Sequence, residues 1–245
     1  EDTESFVHGL CQAFQKRGLP RALLSDNGAP MLAAEVREGL ERLSIEQHTT
    51  LSQTPEQNGK QEVFWSQVEG RLMAMLEGEP LLTLELLNRA TQAWVEQEYH
   101  REPHRETKQT PLQRWLAGPS VGRPCPSSDQ LRRAFRMQVY RHQRRSDGTL
   151  TWRGVRYELP SAYRTLVRPT IRVARWDLCS VDLVDPRRGT HLATLLPVDK
   201  QRNADRRRRA LTDASAAATA TPAPARPGVA PLLRQLMSDY AATGL

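Results

Sequence analysis

Two carboxylates in this chain are placed where chemistry is possible. Asp26 follows a short apolar run, Arg21 to Ser25, and precedes Asn27 and Gly28, so it reads as the residue that a buried strand delivers into a turn. Glu62 follows after 35 intervening residues, beyond a polar stretch through Pro55 and Asn58 and at the start of a helical pattern. A carboxylate at a strand end and another on a neighbouring helix can converge on one point, and hard oxygen donors suit Mg²⁺ or Mn²⁺. Two such ions activate an attacking water or hydroxyl and stabilise the leaving oxygen of an in-line displacement at phosphorus. Taken singly, both residues have plainer readings. Asp-Asn-Gly is a turn sequence, and an acid in a first helical turn complements the helix dipole.

The elements that would hold these residues follow from the hydrophobic period. Phe6, Val7, Leu10 and Phe14 recur at helical spacing and are closed by Gly18, Leu19 and Pro20. Pro30 can open a second helix through Ala33, Val36, Leu40 and Leu43, and Ile45, Gln47 and Thr49 alternate as a second short strand. Phe64, Val68, Leu72 and Leu76 mark one face of a long helix, and Leu84, Leu87, Ala90 and Trp94 mark another. From Leu131 the period becomes two. Leu150 and Trp152, then Val155, Tyr157 and Leu159, flank Arg153-Gly154 as a hairpin, and three more short strands run through Ile171, Val181 and Leu192. Several short strands in so few residues predict a small β-barrel. Residues 200–228 read as a disordered basic and Ala/Pro-rich linker, and residues 229–245 regain a helical pattern through Leu232, Leu233, Leu236, Met237 and Tyr240. That terminal helix either folds back on the protein or stays exposed as a docking peptide.

Charge separates the two halves. The 245 residues carry 35 Lys plus Arg and 28 Asp plus Glu, for a net charge of +7. The first 130 residues are acidic, whereas residues 131–176 hold twelve arginines against only Asp147 and Glu158. Such an excess goes beyond what solubility needs and points to phosphate binding. Strand alternation puts Arg153, Arg156, Arg172 and Arg175 on exposed positions, where they should contact DNA backbone with little sequence preference. Asn58, close to Glu62, fits either a DNA-contacting loop or a plain turn, and Lys60 on its own reads as a solvated lysine of that loop. His100 and His104 stand four apart, but Pro103 intervenes and packing or capping is the better reading than metal ligation. Trp65, Trp94 and Trp115 read as core. No stretch approaches the roughly 20 apolar residues a membrane helix requires. Cys11, Cys125 and Cys179 lie far apart, which argues against a disulfide framework or a zinc site and fits a reducing compartment; with the DNA contact expected of the arginines, the expected setting is cytoplasmic and nucleoid-associated.

Ser25-Asp26-Asn27-Gly28, followed by Thr54-Pro55-Glu56-Gln57-Asn58-Gly59-Lys60-Gln61-Glu62, resembles the second and third acidic signatures of retroviral-integrase-like DDE transposases, spacer included. The resemblance continues through Tyr99, His100, Pro103, His104, Thr110, Pro111 and Trp115, similar to the signature that closes the catalytic domain in insertion-sequence transposases. The basic region, with Trp152-Arg153-Gly154-Val155-Arg156-Tyr157, looks like the barrel of phage Mu-type transposases. The resemblance implies an α/β RNase H-like core, incomplete because the first strands are missing, over residues 1–118. It implies a basic Mu-type C-terminal β-barrel over residues 131–199. It further implies Asp26 and Glu62 as two members of a metal-binding triad, Lys60 near substrate phosphate, and Mg²⁺ or Mn²⁺ as cofactor. Expected partners are DNA (transposon ends and target), a second copy of the chain on DNA, and an AAA+ ATPase reached through the C-terminal helix.

The family's first Asp precedes the second by more than fifty residues, and here only 25 residues precede Asp26. The expectation is therefore an N-terminally truncated transposase that is inactive by itself. The alternative is a non-catalytic DNA-binding remnant; an RNase H-type nuclease fits less well with the appended barrel and tail.

Overall fold

The computed structural model describes residues 2–50, 59–119, 121–199 and 228–243. The chain forms two compact units, each assembled from two separated stretches: residues 1–52 with 121–213, and residues 53–120 with 214–245. Residues 1–118, read above as one module, are thus divided between the units.

In the first unit, helix α1 (Thr3–Arg17) begins where the Asp2 side chain accepts the Ser5 amide at 2.7 Å, with Glu4 in its first turn and Lys16 and Arg17 in its last. These charges oppose the helix dipole at each end. Gly18 stops it in the left-handed region at φ 81°, donating its amide to Phe14 O. Strands β1 (Ala22–Ser25) and β2 (Glu46–Thr49) pair in parallel, Ala22 opposite Glu46 and Ser25 opposite Thr49, with α2 (Ala34–Arg42) between them in sequence. The second helix opens at Ala34 rather than Pro30, because the Met31 and Leu32 amides fold back onto Gly28 O as a turn.

The core of this part is not completed locally. Val7, Leu10, Phe14, Val36 and Leu40 pack with Leu131 and Phe135 from α7 (Ser128–Ala134) and its C-cap. Gly39 is required there: a Cβ would meet the Phe135 ring at 2.3 Å. The returning chain is anchored by reciprocal backbone bonds between Leu19 and Arg123, and the Arg123 guanidinium donates to Pro20 O and Ser44 O.

The remaining strands of this unit are β3 (Met137–Tyr140), β4 (Thr149–Trp152), β5 (Val155–Glu158), β6 (Thr170–Ala174), β7 (Asp177–Val184) and β8 (His191–Leu195). An antiparallel sheet of order β3-β6-β7-β8 and a separate β4-β5 hairpin enclose Leu150, Tyr157, Leu159, Ile171, Val173, Val181, Leu183 and Leu195. The hairpin turn is Arg153-Gly154, with both residues at positive φ, 45° and 80°. Continuous ladders do not close the expected barrel. The four-stranded sheet stays open, and no continuous ladder joins the hairpin to it among the described residues; an isolated bridge between Tyr157 and Pro197, the amide bonds Glu158 N to Leu196 O and Val198 N to Arg156 O, and the common core hold the two together. The strands are short, Pro169 and Pro197 lack an amide to donate, and irregularities interrupt both the β6-β7 and β7-β8 registers.

The second unit is helical. Helix α3 (Gly59–Gln67) runs into a π-helical segment, Val68–Met73, and then α4 (Ala74–Leu76). The long helix expected from Phe64 to Leu76 therefore contains a change of register, although Val68, Leu72 and Leu76 still face inward. Helix α5 (Leu84–Gln97) starts at a Thr83 cap and leads to a 3₁₀ turn at Tyr99–Arg101. Thr110 and Gln113 form a capping box on α6 (Pro111–Ala117), with Pro111 at its first position.

The terminal helix, α8 (Pro231–Thr243), folds back within this unit: Val229, Leu233 and Leu236 are buried with Leu72, Leu86, Ala90 and Trp94. Tyr240 OH donates to Gln92 Oε1 at 3.2 Å, while Leu232 faces solvent. The linker expected over residues 200–228 lies almost wholly outside the described residues. Among the described residues no helix is long and apolar enough to cross a membrane.

Candidate functional site

Asp26 leaves the C-terminal end of β1, where its Oδ1 accepts the Gly28 amide at 2.9 Å. Asn27 Nδ2 donates to Thr50 O at 2.8 Å, and the Thr50 amide donates to Ser25 O at 2.9 Å, so the ends of the two parallel strands are tied at this carboxylate. The turn reading and the positioned-carboxylate reading thus describe the same geometry. A carboxylate beyond the carboxyl ends of parallel strands occupies the part of an α/β sheet where ligands ordinarily bind.

Glu62 sits in the first turn of α3, exposed, with its carbonyl accepting Ser66 Oγ at 3.1 Å. Lys60 is exposed on the same helix, and Asn58 lies outside the described residues. Asp26 belongs to the first unit and Glu62 to the second. Among the described residues no three His, Cys, Asp or Glu side chains gather as a metal cluster. A Mg²⁺ centre needs more hard oxygen donors than one carboxylate provides.

The four arginines assigned to DNA take different positions. Arg153 and Arg156 are exposed on the β4-β5 hairpin, Arg156 with Asp147 Oδ2 3.7 Å away. Arg172 is half-buried on β6, its Nε lacking a hydrogen-bond partner. Arg175 is committed elsewhere: it forms a bidentate pair with Glu35, whose side chain is completely buried. Glu35 raises the Arg175 pKa by hydrogen bonding to the guanidinium. Alternation put Arg175 on an exposed position, as it is, but could not reveal its Glu35 partner, which comes from α2, 140 positions earlier.

A second arginine of the basic stretch is also structural. Arg136 is buried and bridges Asp177 Oδ2 at 3.0 Å and Asp182 Oδ2 at 2.9 Å. Asp182 further accepts from Thr194 and lies 3.3 Å from His191 Nε2. On α2, Arg42 pairs with Glu38 and donates to the Ala134 and Arg136 carbonyls; burial and the nearby Arg172 lower its pKa. Part of the positive charge therefore holds α2, α7 and the sheet together rather than meeting a ligand.

His100 pairs with Glu96 at 3.4 Å, and the His104 ring accepts the Glu106 amide, in keeping with packing and capping roles. The tryptophans divide. Trp94 is fully buried, whereas Trp65 is 52% and Trp115 62% exposed, contrary to the core reading of both. The reason is angular: Phe64 points inward against Trp94 and Tyr99, so its neighbour Trp65 is turned outward on the helix. That signal was present in the period-3.6 pattern of Phe64 and Val68.

No family model matches the chain, and no curated protein matches it. A solved structure similar to it is the cryo-EM structure of the simian T-cell lymphotropic virus intasome in complex with PP2A regulatory subunit B56 gamma. That match has 16% identity and a TM-score of 0.42, and covers 80% of this chain and 62% of the other. The chain thus spans less than two thirds of the length of the chain it matches, and the likeness is too distant to assign a family or an activity.

Proposed function

We propose that this chain is part of a DNA transposase or integrase-type polynucleotidyl transferase, in which Asp26 and Glu62 supply two carboxylates of the phosphoryl-transfer site and the arginine-rich strands bind DNA. The observation that carries the reading is the placement of Ser25-Asp26-Asn27-Gly28 at the end of a parallel strand, followed after 35 residues by Glu62 in the first turn of a helix. In the complete reaction, water and then the freed 3′-hydroxyl attack a phosphodiester, one P–O bond forming as another breaks. Mg²⁺ or Mn²⁺, when bound, supplies the charge neutralisation such an attack needs, and holding it calls for a further carboxylate beside these two. On this proposal the chain is inactive until that donor is provided. Assembly of copies on paired DNA ends and a contact with an AAA+ ATPase belong to the same proposal; the inward face of α8 is already filled by its own unit.

The alternative is a DNA-binding remnant without chemistry. Cleavage and strand transfer on 3′-recessed duplexes and supercoiled plasmid, with and without Mg²⁺, separate the two. Metal-independent binding without turnover fits both the inactive fragment and the remnant. Supplying a segment that bears a further Asp then divides them, since only the first reading predicts a gain of activity that Asp26→Asn and Glu62→Gln remove. Full activity indifferent to both substitutions overturns the proposal.

A further inference from the structure

The β4-β5 hairpin carries a residue at odds with its backbone. A two-residue turn with both φ values positive favours Asn-Gly or Asp-Gly, because a side chain with a Cβ resists the left-handed region. Gly154 satisfies that demand; Arg153, at φ 45°, does not. Asn at this position would relieve the backbone, so Arg153 stands there against local preference, a pattern associated with strain that serves a site.

The hairpin is otherwise rigidly held. Leu150, Trp152, Tyr157 and Leu159 anchor it in the core, the Tyr157 hydroxyl donates to Leu178 O at 2.7 Å, and the Arg141 guanidinium lies over the Trp152 ring at 4.5 Å. Trp152 and Val155 form the last cross-strand pair, so Arg153 and Gly154 alone make the tip. Arg144, Arg145 and Arg156 are exposed on the hairpin or the segment leading into it, against Asp147 and Glu158. The result is one guanidinium presented at the apex of a stiff support with further guanidiniums behind it.

We propose that Arg153 inserts into the DNA minor groove at A·T-rich sequence while the arginines behind it hold the flanking phosphates. A minor groove of about 6 Å admits a single extended side chain. Where A-tracts narrow that groove, its negative potential deepens and draws arginine in. The inference rests on the DNA-binding part of the proposed function and adds to it a mode of readout: the backbone arginines contribute affinity, and the hairpin tip contributes a preference for DNA shape.

The test uses the full chain and fluorescence anisotropy on labelled duplexes, one with a central A-tract and one G·C-rich. Wild-type protein should favour the A-tract duplex by about fivefold or more, and netropsin, a minor-groove ligand, should compete on that duplex. Arg153→Asn should bring the two affinities together while the melting temperature holds or rises, since Asn accepts the left-handed turn. Arg153→Lys, which keeps the charge, should retain part of the preference. Equal affinity of the wild type for both duplexes, an unchanged preference in Arg153→Asn, or indifference to netropsin overturns the inference and leaves phosphate binding standing. Failure of the wild type to bind either duplex overturns the DNA-binding reading itself.

Discussion

The guanidinium of Arg175 grips the carboxylate of Glu35 at two points, Nε to Oε1 at 2.7 Å and Nη2 to Oε2 at 2.8 Å. The pair fastens the N-terminal turn of α2 to the connection between β6 and β7. Glu35 is completely buried while Arg175 keeps 45% of its side chain in solvent, so the acid bears most of the desolvation. Arg175→Ala leaves that carboxylate without its cation. The expected loss is about 2–4 kcal/mol, at or below the range for breaking a fully buried pair because of the solvent on the arginine side. Urea denaturation measures it. DNA affinity at fixed salt should be unaffected as long as the protein is folded, in contrast with the sequence expectation for this residue.

Arg156 gives the opposite result. It is exposed, and Asp147, 3.7 Å away, is itself solvated, so the ion pair contributes little to stability. Arg156→Ala should change the urea midpoint only slightly. It should flatten the plot of log affinity against log salt by about 0.9 if one phosphate contact is lost. The decrease in affinity should be similar on A·T-rich and G·C-rich duplexes, because a phosphate contact does not read sequence.

The cysteines should differ in reactivity. Burial, with a smaller contribution from nearby Cys125, pushes the Cys11 thiol up to about 11. The thiolate is the nucleophile, so at pH 8 only about one Cys11 in a thousand is in the reactive form. Cys179 is exposed on β7. Iodoacetamide labelling at pH 8, followed by peptide mass spectrometry, should modify Cys179 first and Cys11 last. Raising the pH toward 10 should accelerate Cys11, since the thiol deprotonates as pH climbs toward its raised pKa.

Much of the local structure was legible because it depends on near neighbours. Gly18 ends α1, the Arg153-Gly154 step marks the hairpin, and the spacing of Leu233 and Leu236 defines the inward face of α8. What could not be read depends on distant contacts. Phe135 completes the core of α1 and α2 from beyond residue 120, and its fit requires Gly39, which in sequence looks only like a weak helix former. The roles of Arg136 and Arg175 are set by acids far away in the chain, so a count of basic residues overstated how many were free for a ligand. Asp26 was placed correctly at a strand end because the turn chemistry of Asp-Asn-Gly is local. Glu62 was placed on a helix for the same reason.

Each unit is stitched from two stretches of chain separated by part of the other, and this bears on the order of assembly during synthesis. The hydrophobic side of α1 and α2 must wait for Leu131 and Phe135 to leave the ribosome, and α5 must wait for Leu233 and Leu236, more than a hundred residues later. Both cores are closed by contacts of high sequence separation, which slow folding and lengthen the exposure of apolar surface. A nascent chain of this kind should engage chaperones until its last helix is made.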